Sequence, residues 1–229
     1  VLAHSVPLPE GRLRKGRVLE REDLARLRAA GRTSVIAALP EPGDVAEDPA
    51  AARLARALVP DEAAAGLAIG KAATGRVNLH AEAPGVVEID AAAIAAVNAV
   101  DPMITVATVP PWQRMGARGM VATVKIISYA VPEKALAEAC AAVPREGALR
   151  LRRPVLGRAA LIQTAVSPTE TGEKGQAVTQ GRLDRLGVAL DPLCVVPHDV
   201  DPLAEALAAS DADMLLILTG SATSDWRDT

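Results

Sequence analysis

Between Val155 and Leu218 the chain repeats one pattern, an apolar run followed by a helical segment. VLGRAALIQTAV reads as a strand whose unbroken apolar character calls for cover on both faces. GEKGQAVTQGRLDRLG reads as a helix closed by Gly187. VALDPLCVV follows as a strand. DPLAEALAAS follows as a helix with Asp201 as cap and Pro202 at its first position, and DMLLILTG as a third strand. β-α-β-α-β with helical crossovers predicts a parallel α/β sheet. Such sheets take ligands at the carboxyl ends of their strands. Two polar loops leave those ends, SPTETGEKG at 167–175 and TGSATSDWRD at 219–228.

Before Arg150 the order is less regular and predicts an α+β region, residues 1–150, with a subdomain boundary near 75. SVPLPEGRLRKGRVL reads as short strands and turns. REDLARLRAAG reads as a helix with Asp23 in its first turn, Leu24 and Leu27 on one face and Gly31 as its stop. SVIAAL reads as a strand, and PAAARLARALV as a helix opened by Pro49. VVEID and MITVATV read as strands around the helix AAAIAAVNAV. GMVATVKIISYAV reads as one long strand, and PEKALAEACAAV as a helix opened by Pro132. Arg150–Pro154 reads as the linker to the second domain, 151–229.

A chain of 229 residues supports one large or two ordinary domains. Its aromatics are Trp112, Tyr129 and Trp226, so its cores must be built from Val, Leu, Ile and Ala. A net charge of −3 argues against a general nucleic-acid binder. The basic residues Arg12, Arg14, Lys15, Arg17 and Arg21 run directly into Glu20, Glu22 and Asp23, as on a solvated face. Cys140 and Cys194 sit in apolar contexts, as core thiols of a reducing compartment do. His4, His80 and His198 have no metal-binding spacing with them. No apolar run reaches membrane-spanning length and no signal segment opens the chain. A cytoplasmic location is the expectation. The chain opens at Val1 without Met, so its observed start is expected to differ from its biological one.

GLAIGKA at 66–72 imitates a phosphate-binding P-loop, but its glycines are one residue too close and Ala72 replaces the Mg²⁺-holding hydroxyl. The two carboxyl-end loops are better candidates. Gly220 lets backbone amides approach an anion, and Ser221, Thr223 and Ser224 can donate to phosphate oxygens. Asp225 and Asp228 can hold a divalent cation or accept from a ligand's amino groups. Ser167, Thr169, Thr171, Glu170 and Lys174 precede a helix N-terminus, which favours anions. Asp199, beside His198, is placed to reach the same cleft. Together these point to a phosphate-bearing ligand. Lys125 shares a strand face with Thr123 and Ile127, either snorkelling or lining an anion cleft, and Arg76 and Asn78 have the same standing.

Residues 155–229 resemble the molybdopterin-binding fold of molybdopterin adenylyltransferases, molybdopterin molybdotransferases and gephyrin. In that family a strand enters a Gly-Gly-Thr-Gly or Gly-Gly-Val-Ser loop, and an Asp closes the motif nine residues from its first Gly. Gly220 and Asp228 keep that spacing, with Arg227 before the Asp. Ser221, Ala222 and Thr223 stand where the family has its second Gly, its Thr or Val, and its Gly or Ser. SPTETGEKGQAVTQGRLDRLGV and VVPHDVDPLAEAL resemble the family's first loop with its helix and its second strand with its helix. Upstream, LAHSVPLPEGRLRKGRVL, LPEPGDVAED, TGRVNLHAEAPGVVEID and MVATVKIISYAV resemble a subgroup of bacterial molybdopterin-binding proteins.

The resemblance implies a protein of molybdenum-cofactor biosynthesis with a molybdopterin-binding α/β domain, truncated here because the family's sheet continues past this loop. It implies molybdopterin or the molybdenum cofactor as ligand, with Mg²⁺ at Asp228 and ATP or molybdate as co-reactants. Gly220, Ser221, Ala222, Thr223, Ser224, Ser167, Thr169, Thr171, Lys174 and Asp199 would bind it, and Asp228 and Asp225 would act in catalysis. The activity would be molybdate insertion or nucleotidyl transfer. The alternatives are a non-enzymatic carrier serving a cytidylyltransferase or molybdoenzyme partner, and a nucleotide pyrophosphatase of the competence-damage type. A homo-oligomer is also expected.

Overall fold

The computed structural model describes residues 1–167, 169 and 172–220. It is mixed α/β, with seven helices and several sheets among the described residues, one of them parallel. None of the described helices is long and apolar enough to cross a membrane. The chain divides into two compact units, Val1–Arg152 and Arg153–Thr229.

The first unit opens with a small module. Strands β1 (Val6–Leu8) and β2 (Gly11–Leu13) form an antiparallel hairpin, and α1 (Arg21–Ala29) follows. Leu2, Leu8, Leu13 and Leu27 make its own core. Leu27 is buried but Leu24 is 42% exposed, so the apolar face expected of α1 is narrower than read. The buried polar partner is Asp23. It closes a capping box with Glu20 and takes a hydrogen bond from Arg17 Nε at 2.8 Å. Gly31 stops the helix in the left-handed conformation. The expected strand at 34–39 does not form. Only Ala37 bridges to Leu2, and Leu39 is 92% exposed.

The larger part of this unit has a single core running from Ala50 to Leu151. It contains β3 (Asp44–Ala46), α2 (Glu47–Leu58), α3 (Glu62–Ala65), β4 (Leu67–Ile69), β5 (Arg76–Ala81) and β6 (Gly85–Ile89). Then come α4 (Ala91–Val100), β7 (Ile104–Thr108), β8 (Arg114–Met115), β9 (Met120–Ile126), β10 (Ala130–Pro132), α5 (Glu133–Ala141) and β11 (Leu149–Arg152). A four-stranded antiparallel sheet runs in the order β4-β5-β9-β7, a three-stranded one in the order β11-β6-β8, and β3 pairs with β10. Alternation sets the faces, since Val77, Leu79, Val124 and Ile126 are fully buried or nearly so while their neighbours point outward. In α2, Ala50, Ala51, Leu54, Ala55 and Leu58 recur at helical spacing and are all fully buried against this sheet. Asp90 caps α4 by accepting from the Ala93 amide.

Several expectations are corrected here. No boundary lies near residue 75, because the β4-β5 pair and the single core span it. Helix α2 begins at Glu47, which puts Pro49 at its third position, where a missing N–H still costs nothing. The long strand 119–131 is two strands, interrupted where Ser128 donates to the Ala130 carbonyl. Arg150–Arg152 is not linker but the body of β11, paired antiparallel with β6. GLAIGKA is no phosphate loop either. Gly66 ends α3 in the left-handed conformation, and Leu67–Ile69 is strand β4.

The second unit is the βαβαβ pattern. It consists of β12 (Arg158–Ala165), α6 (Glu173–Asp184), β13 (Ala189–Leu190), β14 (Cys194–Pro197), α7 (Val200–Ala209) and β15 (Met214–Leu218). All pairings are parallel. The expected strand 188–196 is broken at Asp191–Leu193 into β13 and β14. Ala159 pairs with both Leu190 and Met214, and Ile162 with both Cys194 and Ile217. Hence β13 and β14 lie along one edge of β12 and β15 along the other. The cap of α7 is Asp199, whose side chain accepts from the Val200 amide, and not Asp201, which lies in the first turn.

Candidate functional site

The chain runs from β12 outward to β13 and β14, then back across to β15, so the strand order reverses beside the carboxyl end of β12. Right-handed crossovers place α6 and α7 on opposite faces of such a sheet. A crevice outside the strand ends at a reversal is the general ligand position of open α/β sheets. Here a cleft of about 650 Å³ opens at that point, between the first turns of α6 and the end of β15.

Its wall is built by helical spacing. Lys174, Val178 and Arg182 fall at i, i+4 and i+8 on α6 and line the cleft together with Gly175 and Thr179. Gly172, at the helix N-cap, has φ of +72° and offers no capping side chain. Among the described residues no side chain caps the amides of this first turn, which stand at the positive end of the helix. Lys174 and Arg182 add two cationic side chains against one carboxylate, Glu173, among the described lining residues.

The floor comes from β12. Gln163 lies on the same strand face as Ala159, which packs against Leu183 of α6. Its Oε1 is buried and has no hydrogen-bond partner among the described residues. Side chains at Gly172 or Gly175 would come within 2.9 Å of that oxygen, so the two glycines keep the cleft open around it. An unmet buried acceptor is costly, and a ligand N–H or O–H would satisfy it.

The other face of β12 carries Thr164, which is 1% exposed. Its hydroxyl accepts from the Gly220 amide at 2.9 Å and lies 2.8 Å from His198 Nδ1. One buried side chain thus ties together the loops leaving β14 and β15. A Cβ at Gly220 would sit 2.5 Å from the Thr164 carbonyl oxygen. The glycine is required by this close approach to β12. At the opposite end of the sheet, Asp213 accepts from the Gly157 and Arg158 amides, which hold its carboxyl below the usual range.

Of the residues expected at the site, Lys174 and Gly220 meet in the cleft. Ser167 and Thr169 are turned to one another, with Oγ to Oγ1 at 2.9 Å. Asp199 is occupied as the α7 cap and does not line the cleft. Thr171, Ser221, Ala222, Thr223, Ser224, Asp225 and Asp228 lie outside the described residues. Gln163 and Arg182 were not anticipated. A lone amide inside the apolar run ALIQTAV, and a cation two turns beyond Lys174, were the available signals.

A family model described as a domain of unknown function, DUF8806, matches residues 1–38. That stretch coincides with the β1-β2-α1 module and its separate leucine core. No curated protein and no solved structure matches the chain.

Proposed function

We propose that residues 153–229 bind a phosphate-bearing pterin of the molybdopterin type, in a domain of the molybdopterin-binding fold. The observation that carries this reading is the cleft at the strand-order reversal, with two cations and a helix N-terminus on one wall and a buried acceptor on its floor, the last two without a side-chain partner among the described residues. Those groups suit a ligand with a terminal phosphate at one end and ring N–H donors at the other. The family resemblance of residues 155–229 supplies the identity of the ring. Lys174, Arg182 and the first-turn amides of α6 would hold the phosphate, and Gln163 would accept from the heterocycle. Ser221, Thr223, Asp225 and Asp228 would complete the site, with Mg²⁺ at Asp228. Molybdate insertion or nucleotidyl transfer at such a site would depend on positioning and electrostatics.

Titration of the full chain with molybdopterin, followed by the ligand's fluorescence, tests the reading. Binding weakened about tenfold by Lys174→Gln or Arg182→Gln, equal to ~1.4 kcal/mol, is the expected result. Absence of binding, or binding indifferent to both substitutions, overturns it. Assays with ATP and molybdate separate an enzyme from a carrier, and ADP-ribose hydrolysis would mark a pyrophosphatase instead.

A further inference from the structure

In the first unit, a turn joins the segment after β4 to β5 in an unusual way. Ala73 and Arg76 exchange both backbone hydrogen bonds, at 3.0 and 3.1 Å, around Thr74 and Gly75. Thr74 has φ of +50° and Gly75 of +70°. Two consecutive positive φ values are the mark of a mirror-image turn, which asparagine and glycine adopt readily. A β-branched threonine in that region is a genuine outlier. Outliers of this kind persist only where the surroundings impose them, and they cluster at functional sites.

The surroundings here do impose it. The Gly75 amide donates to Asp48 Oδ1 of α2 at 2.6 Å, and the Ile126 amide donates to the Gly75 carbonyl at 2.8 Å. Lys125 Nζ donates to the Thr74 carbonyl at 2.5 Å. A Cβ on Gly75 would stand 2.7 Å from the Ile126 carbonyl oxygen, so the turn cannot relax inward.

This turn delivers Arg76 to a position directly opposite Lys125 on the neighbouring strand. Like charges facing one another across a strand pair repel. Among the described residues neither forms an ion pair, and Arg76 makes no side-chain hydrogen bond. The outward residues beside them on β5, β7 and β9 are Asn78, His80, Thr105, Ala107 and Thr123. None of these outward strand residues is a carboxylate. Glu47 and Asp48 sit at the head of α2, which covers the opposite face, and Asp48 is engaged by Gly75. Thr123 donates to Asn78 Oδ1 at 2.9 Å, which leaves the Asn78 NH₂ as a further donor next to Arg76.

We propose that Arg76 and Lys125 form an oxyanion site on the open face of the four-stranded sheet, and that its ligand is a phosphate group. The guanidinium supplies a planar fork and the ammonium a point charge, a pairing suited to a tetrahedral oxyanion. Bound phosphate offsets the repulsion built into the strand pair. The imposed turn at Thr74 holds the two cations in register for it. This site belongs to residues 1–152 and stands independently of the pterin reading.

The test is an amide NMR titration of the full chain with inorganic phosphate, with sodium chloride at matched ionic strength as control. Saturable shifts at Thr74–Asn78 and Thr123–Ile126, absent with chloride, are expected. Arg76→Gln, which removes no hydrogen bond or ion pair formed among the described residues, should abolish these shifts and leave the unliganded melting temperature unchanged or raised. Lys174→Gln should leave them intact, which separates this site from the cleft of the second unit. Equal shifts with chloride, or undiminished phosphate shifts in Arg76→Gln, overturn the proposal. Titrations with pyrophosphate and with glycerol phosphate identify the source of the group, since tighter binding of either points to a phosphorylated small molecule.

Discussion

In residues 1–152, α2 lays five fully buried side chains on a four-stranded sheet, and α4 and α5 close the core around Val97 and Leu136. In residues 153–220, α7 runs along β14 and β12 yet has no buried residue. On β15, Leu215, Ile217 and Leu218 are 39%, 48% and 40% exposed. Both regions have helices against sheets, but the first has the larger buried interior, while the second buries a smaller cluster around Ala159, Leu183 and Val188. The difference separates two jobs. The first region's stability is carried by packing. The second holds its loops by a few specific polar contacts at the strand ends, where a cleft also opens.

The largest effect that would sharpen this contrast is at Leu54. Truncation to Ala in a filled core removes transfer free energy and leaves a cavity, at a cost of about 2–5 kcal/mol. Leu54→Ala should lower the urea midpoint of the first unit's transition accordingly and leave the proposed pterin binding unchanged. A loss below 1 kcal/mol would mean that the first region is no better packed than the second.

Next comes Thr164. In Thr164→Val the shape is kept but the partly buried hydrogen bond from the Gly220 amide is lost, at a cost of about 0.5–1.5 kcal/mol. The proposed affinity for pterin should fall with the stability of the second unit, because Gly220 is no longer fixed to β12. Unchanged affinity would show that the loop's position does not depend on this contact.

One pH effect should appear in the first unit's opening module. The hydrogen bond from Arg17 holds the buried Asp23 carboxyl below its ordinary value, helped by the Glu20 amide and opposed by burial. A depressed folded-state pKa contributes stability above the unfolded value, about 3.9, and loses it as pH falls through the folded one. Melting of wild type and Asp23→Asn should therefore converge on acidification below about pH 4. Parallel curves would mean that Asp23 stays charged throughout.

What the sequence made legible follows from the range of the forces involved. Alternation and 3.6-residue spacing are local, so α1, α2, α4, α5 and the parallel βαβαβ order could be read from short windows. Residues 34–39 suit a strand by composition, but their only strand-like partner among the described residues is the short segment around Leu2. The break inside 119–131 carries no Gly or Pro to announce it. Two aspartates two residues apart, Asp199 and Asp201, are equally plausible caps until the backbone selects one. The pairing of Arg76 with Lys125 joins residues 49 positions apart across a bulge at Leu79 and His80, and no local pattern encodes that register. Gln163 was overlooked because its significance lies in a missing partner, which only three-dimensional packing defines.

The smallest expected effect is the most direct test of the contrast. Ile217 is nearly half exposed on β15, so truncation removes little buried area and leaves no enclosed cavity. Ile217→Ala should cost less than about 1 kcal/mol, against several for Leu54→Ala, although both remove a branched aliphatic side chain from a helix-and-sheet layer. Denaturant unfolding of the two variants, monitored separately for each unit, makes the comparison. If Ile217→Ala proved as damaging as Leu54→Ala, the exposed face of β15 would have to be covered in solution. The packed interior of the second region would then extend beyond the cluster around Ala159, Leu183 and Val188.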